Sequence, residues 1–278
     1  MGRTRKDCPI CLTKGLLRLP NHMKQVHNLT STKKEELSLD MMKPLSALTW
    51  NPQEKSDEKW WKTQSLLPFE SCSSIMVSGP TGSGKSRWVY TLLQHSNGMY
   101  VRDPPKNIMY CYGIHQSLFD EMEQTIPNLT LHEGLPTQTE IEEFSGTDHG
   151  LIVLDDLQQH VIENKEMELL FTQGCHHRRL SVIFIVQNLY GQGKSARTIA
   201  LNSWYLVLFK NIRGTSQIRH LNSQLFPHKG NILIQAYEDA VKEPYHYLVI
   251  DLSPQTEDNY RLRTKIFPGE DPIVYKSL

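Results

Sequence analysis

One eight-residue run constrains this 278-residue chain more than any other: Gly79-Pro80-Thr81-Gly82-Ser83-Gly84-Lys85-Ser86. It fits G-x-x-x-x-G-K-[ST] at every fixed position, a pattern that needs a strand running in, a tight glycine turn and a helix running out. Glycines let successive backbone N–H groups curl around a triphosphate. The lysine reaches the β- and γ-phosphates, and the hydroxyl after it ligates Mg²⁺. The flanks agree: Ser74-Ile75-Met76-Val77 reads as a short buried strand. Arg87 to His95 reads as a helix with Trp88, Val89, Leu92 and Leu93 on one face. Gly79 to Ser86 are therefore candidate ligands of ATP, with Mg²⁺ as its companion.

Such a loop needs a carboxylate partner. Leu151-Ile152-Val153-Leu154-Asp155-Asp156 places two at the end of an apolar strand, 70 residues past Lys85. Asp155 is expected to bind Mg²⁺ beside Ser86, directly or through water, and Asp156 to orient or deprotonate the attacking water. A helix cap after a strand is the plainer account of either aspartate; the complete loop upstream favours the metal site. A third apolar run, Ser181 to Val186, ends in Gln187 and Asn188. A polar side chain there falls beside the γ-phosphate, between loop and acids, where it can sense that phosphate. Gln187 is preferred over Asn188, with capping of the next turn as the alternative. The glycine turn and the aspartates are expected on adjacent strands, at one edge of one sheet.

Other features are weighed against this set. Gly191-Gln192-Gly193-Lys194-Ser195 mimics the tail of a second phosphate loop, but Asn188 stands where a glycine is required and no comparably strong helix pattern follows. It reads as a flexible basic loop. Arg178, Arg179, Arg197 and Arg213 are candidates for an arginine acting across a subunit boundary; a surface or salt-bridging role is the plainer account of each, and the sequence does not choose among them. Asn164-Lys165-Glu166-Met167 lacks the aspartate of a guanine-reading N-K-x-D element, and no LSGGQ-like segment occurs. ATP is preferred to GTP on that ground.

The apolar share of 38% suffices for a packed core, while the longest apolar runs fall far short of the roughly 18 residues of a membrane span. Candidate strands are Ile75–Val77, 107–112, 151–154, 182–186, 205–209 and 246–250, with helical patterns between most of them. Continuous apolar runs of this kind belong to a sheet covered on both faces. The fold class expected is α/β, a P-loop fold with a mostly parallel sheet between helices. It spans residues 67–255, with residues 256–278 left as a tail without a strong period.

The N-terminus differs in kind. Net charge is zero overall, yet residues 1–34 hold eight Lys/Arg against one acid, Asp7, leaving 22 basic and 29 acidic residues for the remainder. Within residues 1–29, Cys8-x2-Cys11-x10-His22-x4-His27 gives two thiolates and two imidazoles at zinc spacing. A two-Cys two-His zinc finger is expected there, followed by a polar linker over residues 30–66. Five cysteines, two of them in this pattern, suit a reducing compartment better than a disulfide scaffold. No apolar segment follows the basic start, so secretion is not expected. The finger's basic surface suits double-stranded DNA, and protein contact fits nearly as well.

The loop, the Asp155–Asp156 strand and Gln187-Asn188 are joined downstream by Arg197-Thr198-Ile199-Ala200-Leu201-Asn202 and Phe209-Lys210-Asn211-Ile212-Arg213, and upstream by Asn107-Ile108-Met109-Tyr110-Cys111-Tyr112-Gly113. Together they resemble the genome-packaging ATPases of Polinton/Maverick elements and adintoviruses, within the FtsK/HerA superfamily and alongside the poxvirus packaging ATPases. The resemblance covers residues 67–255. It implies a RecA-like domain in a homo-oligomeric ring that hydrolyses ATP to drive double-stranded DNA into a capsid, with a capsid protein as partner; the sequence offers no apolar segment to serve as a membrane anchor, which favours packaging over chromosome segregation. It also implies a viral or mobile-element protein of the host nucleus or cytoplasm. The family's phosphate-loop lysine and serine fall on Lys85 and Ser86, its acids on Asp155 and Asp156, its sensor glutamine on Gln187. Asp156 departs from the wider superfamily, where many members carry the longer Glu. The competing readings are a nucleotide-switched DNA-binding regulator, a non-packaging DNA translocase or repair ATPase, and a non-enzymatic adaptor in which the zinc segment works and the ATPase fold is inert; intact Lys85, Ser86 and Asp155 argue against the last.

Overall fold

The computed structural model describes residues 65–276, apart from residues 66, 102, 165–166, 168–169, 172–177 and 191–193. The expected zinc ligands Cys8, Cys11, His22 and His27, and nearly all of the linker, lie outside the described residues.

Among the described residues, short β-branched and aromatic runs make nine strands: β1 (Ser74–Ser78), β2 (Asn107–Tyr112), β3 (Leu129–Glu133), β4 (Gly150–Asp155), β5 (Leu180–Val186), β6 (Tyr205–Phe209), β7 (Tyr247–Asp251), β8 (Leu262–Thr264) and β9 (Ile273–Tyr275). All join one sheet in the order β3-β2-β4-β5-β1-β6-β7-β8-β9. The ladders from β3 across to β6 are parallel, and β7, β8 and β9 extend it antiparallel. The helices named below are α1 (Lys85–Gln94), α2 (Ser96–Met99), α3 (Ser117–Thr125), α4 (Gln138–Phe144), α5 (Gln158–Glu163), α6 (Lys194–Asn202), α7 (Thr215–Leu225) and α8 (Ile232–Ala240).

Side chains alternate across a strand, and here the alternation sorts the core into two layers. Ile75, Val77, Leu151, Val153, Ile183 and Ile185 share one face with Trp88, Val89, Leu92 and Leu93 of α1. Met76, Ile152, Leu154, Val182, Phe184 and Val186 take the other, under α6, α7 and α8. That double burial is why these runs read as unbroken apolar stretches.

Three expectations are corrected. The stretch 256–278 is no tail without structure: β8 and β9 lie in it and extend the sheet. Strands of three residues are too short to show a period. A helix, α6, does begin at Lys194, although Ile199 and Ala200 are its main buried residues, which explains the weak pattern. The glycine turn and the aspartates do not sit on adjacent strands, because β5 is hydrogen-bonded between β1 and β4.

Candidate nucleotide site

β1 ends at the C-terminal edge of the sheet and the chain turns at once. Gly79 N–H donates to Val186 O at 3.2 Å, tying the turn to β5. A Cβ at Gly79 would lie 2.7 Å from both Phe209 Cβ and Ser83 Oγ, so the close approach to β6 requires glycine. Gly84, at φ 98°, opens α1, which has no side-chain N-cap and no acid in its first turn. The leading N–H groups of that helix are thus left for an anion, with the helix dipole behind them. Lys85 Nζ donates to Gly79 O at 2.8 Å and Pro80 O at 3.0 Å. Burial draws its pKa below the ordinary lysine value, against the pull of the Asp155 and Asp156 carboxylates.

The alternation of β4 turns Asp155 toward α1, and one contact then joins the two motifs across β5. Ser86 Oγ donates to Asp155 Oδ2 at 2.8 Å, and the Tyr110 phenol of β2 donates to the same oxygen at 2.7 Å. Asp155 is 4% exposed. Burial raises its carboxyl pKa, while the Tyr110 and Ser86 hydrogen bonds and the Lys85 charge work the other way. Burial, with the Asp155 charge, pushes the Tyr110 phenol far up, so it remains a donor. A buried carboxylate beside a hydroxyl is a donor set that suits a small hard cation such as Mg²⁺.

Asp156 is exposed and holds φ 55°, a left-handed backbone that Asp tolerates better than most residues. One residue beyond β5, the alternation carries Gln187 to the α1 side. It lines the cleft over the loop, and Asn188 does not. That cleft measures about 880 Å³, and Thr81, Gly82, Gly84, Lys85, Ser86, Asp155, Asp156 and Gln187 all face it. The structure therefore brings together the four expected catalytic residues, while Gly79, Pro80 and Ser83 shape the turn without lining the cleft.

Sequence reasoning missed three residues here. Tyr110 reaches Asp155 only because β2 pairs with β4 in a register that sets Tyr110 opposite Val153. Gln158, at the start of α5, accepts from Gln187 N–H across 3.4 Å. Tyr245, before β7, stands against Gly84 from the far side. Of the arginines, Arg178 pairs with Glu142 and Arg179 with Asp103, both at the start of β5 and so at the opposite edge of the sheet. Arg197 is exposed on α6. Arg213 is exposed just past β6, at the same edge as the cleft.

No family model matches the chain, and no curated protein does. Solved structures do. The genome packaging NTPase B204 from Sulfolobus turreted icosahedral virus 2 in complex with ATP-gammaS is 14% identical with a TM-score of 0.44, over 74% of this chain and 98% of that one. Its complex with AMPPCP is 16% identical with a TM-score of 0.41, over the same shares. B204, the DNA-packaging ATPase from Sulfolobus turreted icosahedral virus, is 12% identical with a TM-score of 0.44, over 76% of this chain and all of that one. Likeness at this level assigns no family, and the reading of the site rests on its own geometry.

Proposed function

We propose that this chain is a Mg²⁺-dependent ATPase that works as a homo-oligomeric ring and drives double-stranded DNA into a viral or mobile-element capsid. One observation carries the enzymatic half. The Ser86 hydroxyl and the Asp155 carboxylate meet at 2.8 Å beneath the glycine turn, although they are 69 residues apart and two strands removed. Backbone N–H groups of the loop and α1 hold the phosphates, and Lys85 exchanges its two loop carbonyls for phosphate oxygens. Ser86 and Asp155 would hold Mg²⁺, which would supply positive charge to offset that of the phosphates. Asp156, exposed at the mouth of the cleft, orients a water and takes its proton. Gln187, which lines the same cleft, would stand beside the terminal phosphate.

The DNA and capsid half rests on the resemblance of the Gln187-Asn188, 197–202 and 209–213 stretches to packaging ATPases. The proposed zinc module of Cys8, Cys11, His22 and His27 tethers DNA or a protein partner, and the assembly acts in the host nucleus or cytoplasm.

The test uses the full chain with zinc and Mg²⁺. Expected are turnover in the ordinary enzymatic range of about 1–10³ s⁻¹, stimulation by duplex DNA, and sedimentation as an oligomer with ATP. Turnover indifferent to duplex DNA, from a chain that stays monomeric, defeats the motor reading and leaves a nucleotide switch. Lys85→Ala with unchanged ATP binding defeats the nucleotide site itself.

A further inference from the structure

The cleft has two ends, and the function just proposed uses one. Along the sheet edge the order is Asp155 on β4, Gln187 after β5, the glycine turn after β1, Phe209 on β6, and then the entry to β7. On that reading Ser86, Asp155 and Gln187 would fix the terminal phosphates at the β4–β5 side. The rest of a nucleotide must lie away from them. At the β7 side stands Tyr245, the one tyrosine, phenylalanine or tryptophan among the described residues that line the cleft.

Three features set Tyr245 apart. Its ring lies directly over the loop: a Cβ added to Gly84 would come 3.1 Å from Tyr245 Cδ1. It is 71% exposed, while Tyr247, two residues on, is packed into the core. Its backbone is at φ 63°, a region that aromatic residues seldom occupy, so the chain holds this ring in place against its own preference.

We infer that Tyr245 is the nucleobase platform of this site, its ring stacking on the base of a triphosphate held by the loop. Every base has a π-face, so such a platform tells a nucleoside triphosphate from bare polyphosphate and discriminates weakly among bases. This rests on the nucleotide reading of the loop, and the experiment keeps the two apart.

Full-length protein with Mg²⁺ is titrated with ATP and with inorganic tripolyphosphate, each displacing a fluorescent nucleotide. Tyr245→Asn removes the ring but keeps a side chain that tolerates left-handed backbone. Tyr245→Phe keeps the ring. Expected is a loss of ATP affinity of roughly tenfold or more in Tyr245→Asn, with tripolyphosphate unchanged and Tyr245→Phe close to wild type. Unchanged ATP affinity in Tyr245→Asn overturns the platform, as does an equal fall for ATP and tripolyphosphate, which places the effect in the loop. Lys85→Ala is the separate control: it weakens both ligands if the loop grips phosphate. Its failure to do so sinks the nucleotide site whatever Tyr245 does.

Discussion

Asp155 is under opposing demands. The proposed chemistry needs its charge beside Ser86, and burial resists that charge, since its carboxyl pKa is raised. A carboxyl raised in the folded state costs stability as pH climbs through the folded value. Asp155→Asn removes that cost and still offers an oxygen to Tyr110 and Ser86. The nucleotide-free variant is expected to melt about 2–4 °C higher, for a gain of roughly 1 kcal/mol, while Mg²⁺-dependent hydrolysis is lost. A calorimetric scan beside a phosphate-release assay reads both, and a lower melting point refutes the account. Asp156 makes the contrasting case. Asn shares its tolerance of φ 55°, so Asp156→Asn should keep ATP binding within about twofold and cut turnover by the 10²–10⁴ typical of a lost general base. Equal loss of affinity in Asp155→Asn and Asp156→Asn means that their roles are misassigned. Lys85, Ser86 and the acids were legible because each sits at a fixed offset from a glycine turn or a strand end. Tyr110 and Tyr245 were not, because strand order and register bring them to the site.

At the scale of elements, the long apolar runs announced themselves and the short ones did not. All six expected strands form, while β3, β8 and β9 went unread: β3 lies at the sheet edge with mixed burial, and the other two have three residues each. What holds β8 is also illegible by periodicity, since it is a buried charge. Arg263 and Asp251 are 1% and 2% exposed by side chain, with Nη2 and Oδ2 2.9 Å apart. That contact is an ion pair by distance and lacks hydrogen-bond alignment. The guanidinium also lies 5.8 Å from the ring centres of Phe69 and Tyr205. Arg263→Met strands the Asp251 charge and should cost about 3–5 kcal/mol. Adding Asp251→Leu should recover most of it, as urea midpoints will report. A double variant no better than the single one would show that packing, and not charge, is what Arg263 provides.

The two edges of the sheet differ in character. Opposite the cleft, His149 is fully buried at the start of β4. Its Nδ1–H donates to Asp103 O at 2.6 Å, and its Nε2 accepts from Ser181 Oγ at 2.8 Å and from Cys72 N at 3.4 Å. Both ring nitrogens are committed in the neutral form, and burial lowers the pKa. Unfolded, the ring titrates near 6.5, so from there down to the folded value the unfolded chain binds the extra proton. The contribution is complete above about pH 6.5 and fades as pH falls below it, by up to about 1.4 kcal/mol per pH unit. Melting temperatures from pH 8 to pH 5 should decline along the acid limb. In His149→Asn that decline should flatten, whereas an acid limb of the same slope would place the titration elsewhere.

The interposed strand has a consequence for movement. β5 is paired at five positions with β1 and at six with β4, so the gap between phosphate turn and acid is spanned by two intact ladders. Widening or narrowing it means shearing both. The sheet is thus the fixed jaw of a vice, and any stroke of the proposed motor must belong to the segments hanging off its rim, where Gln187 begins.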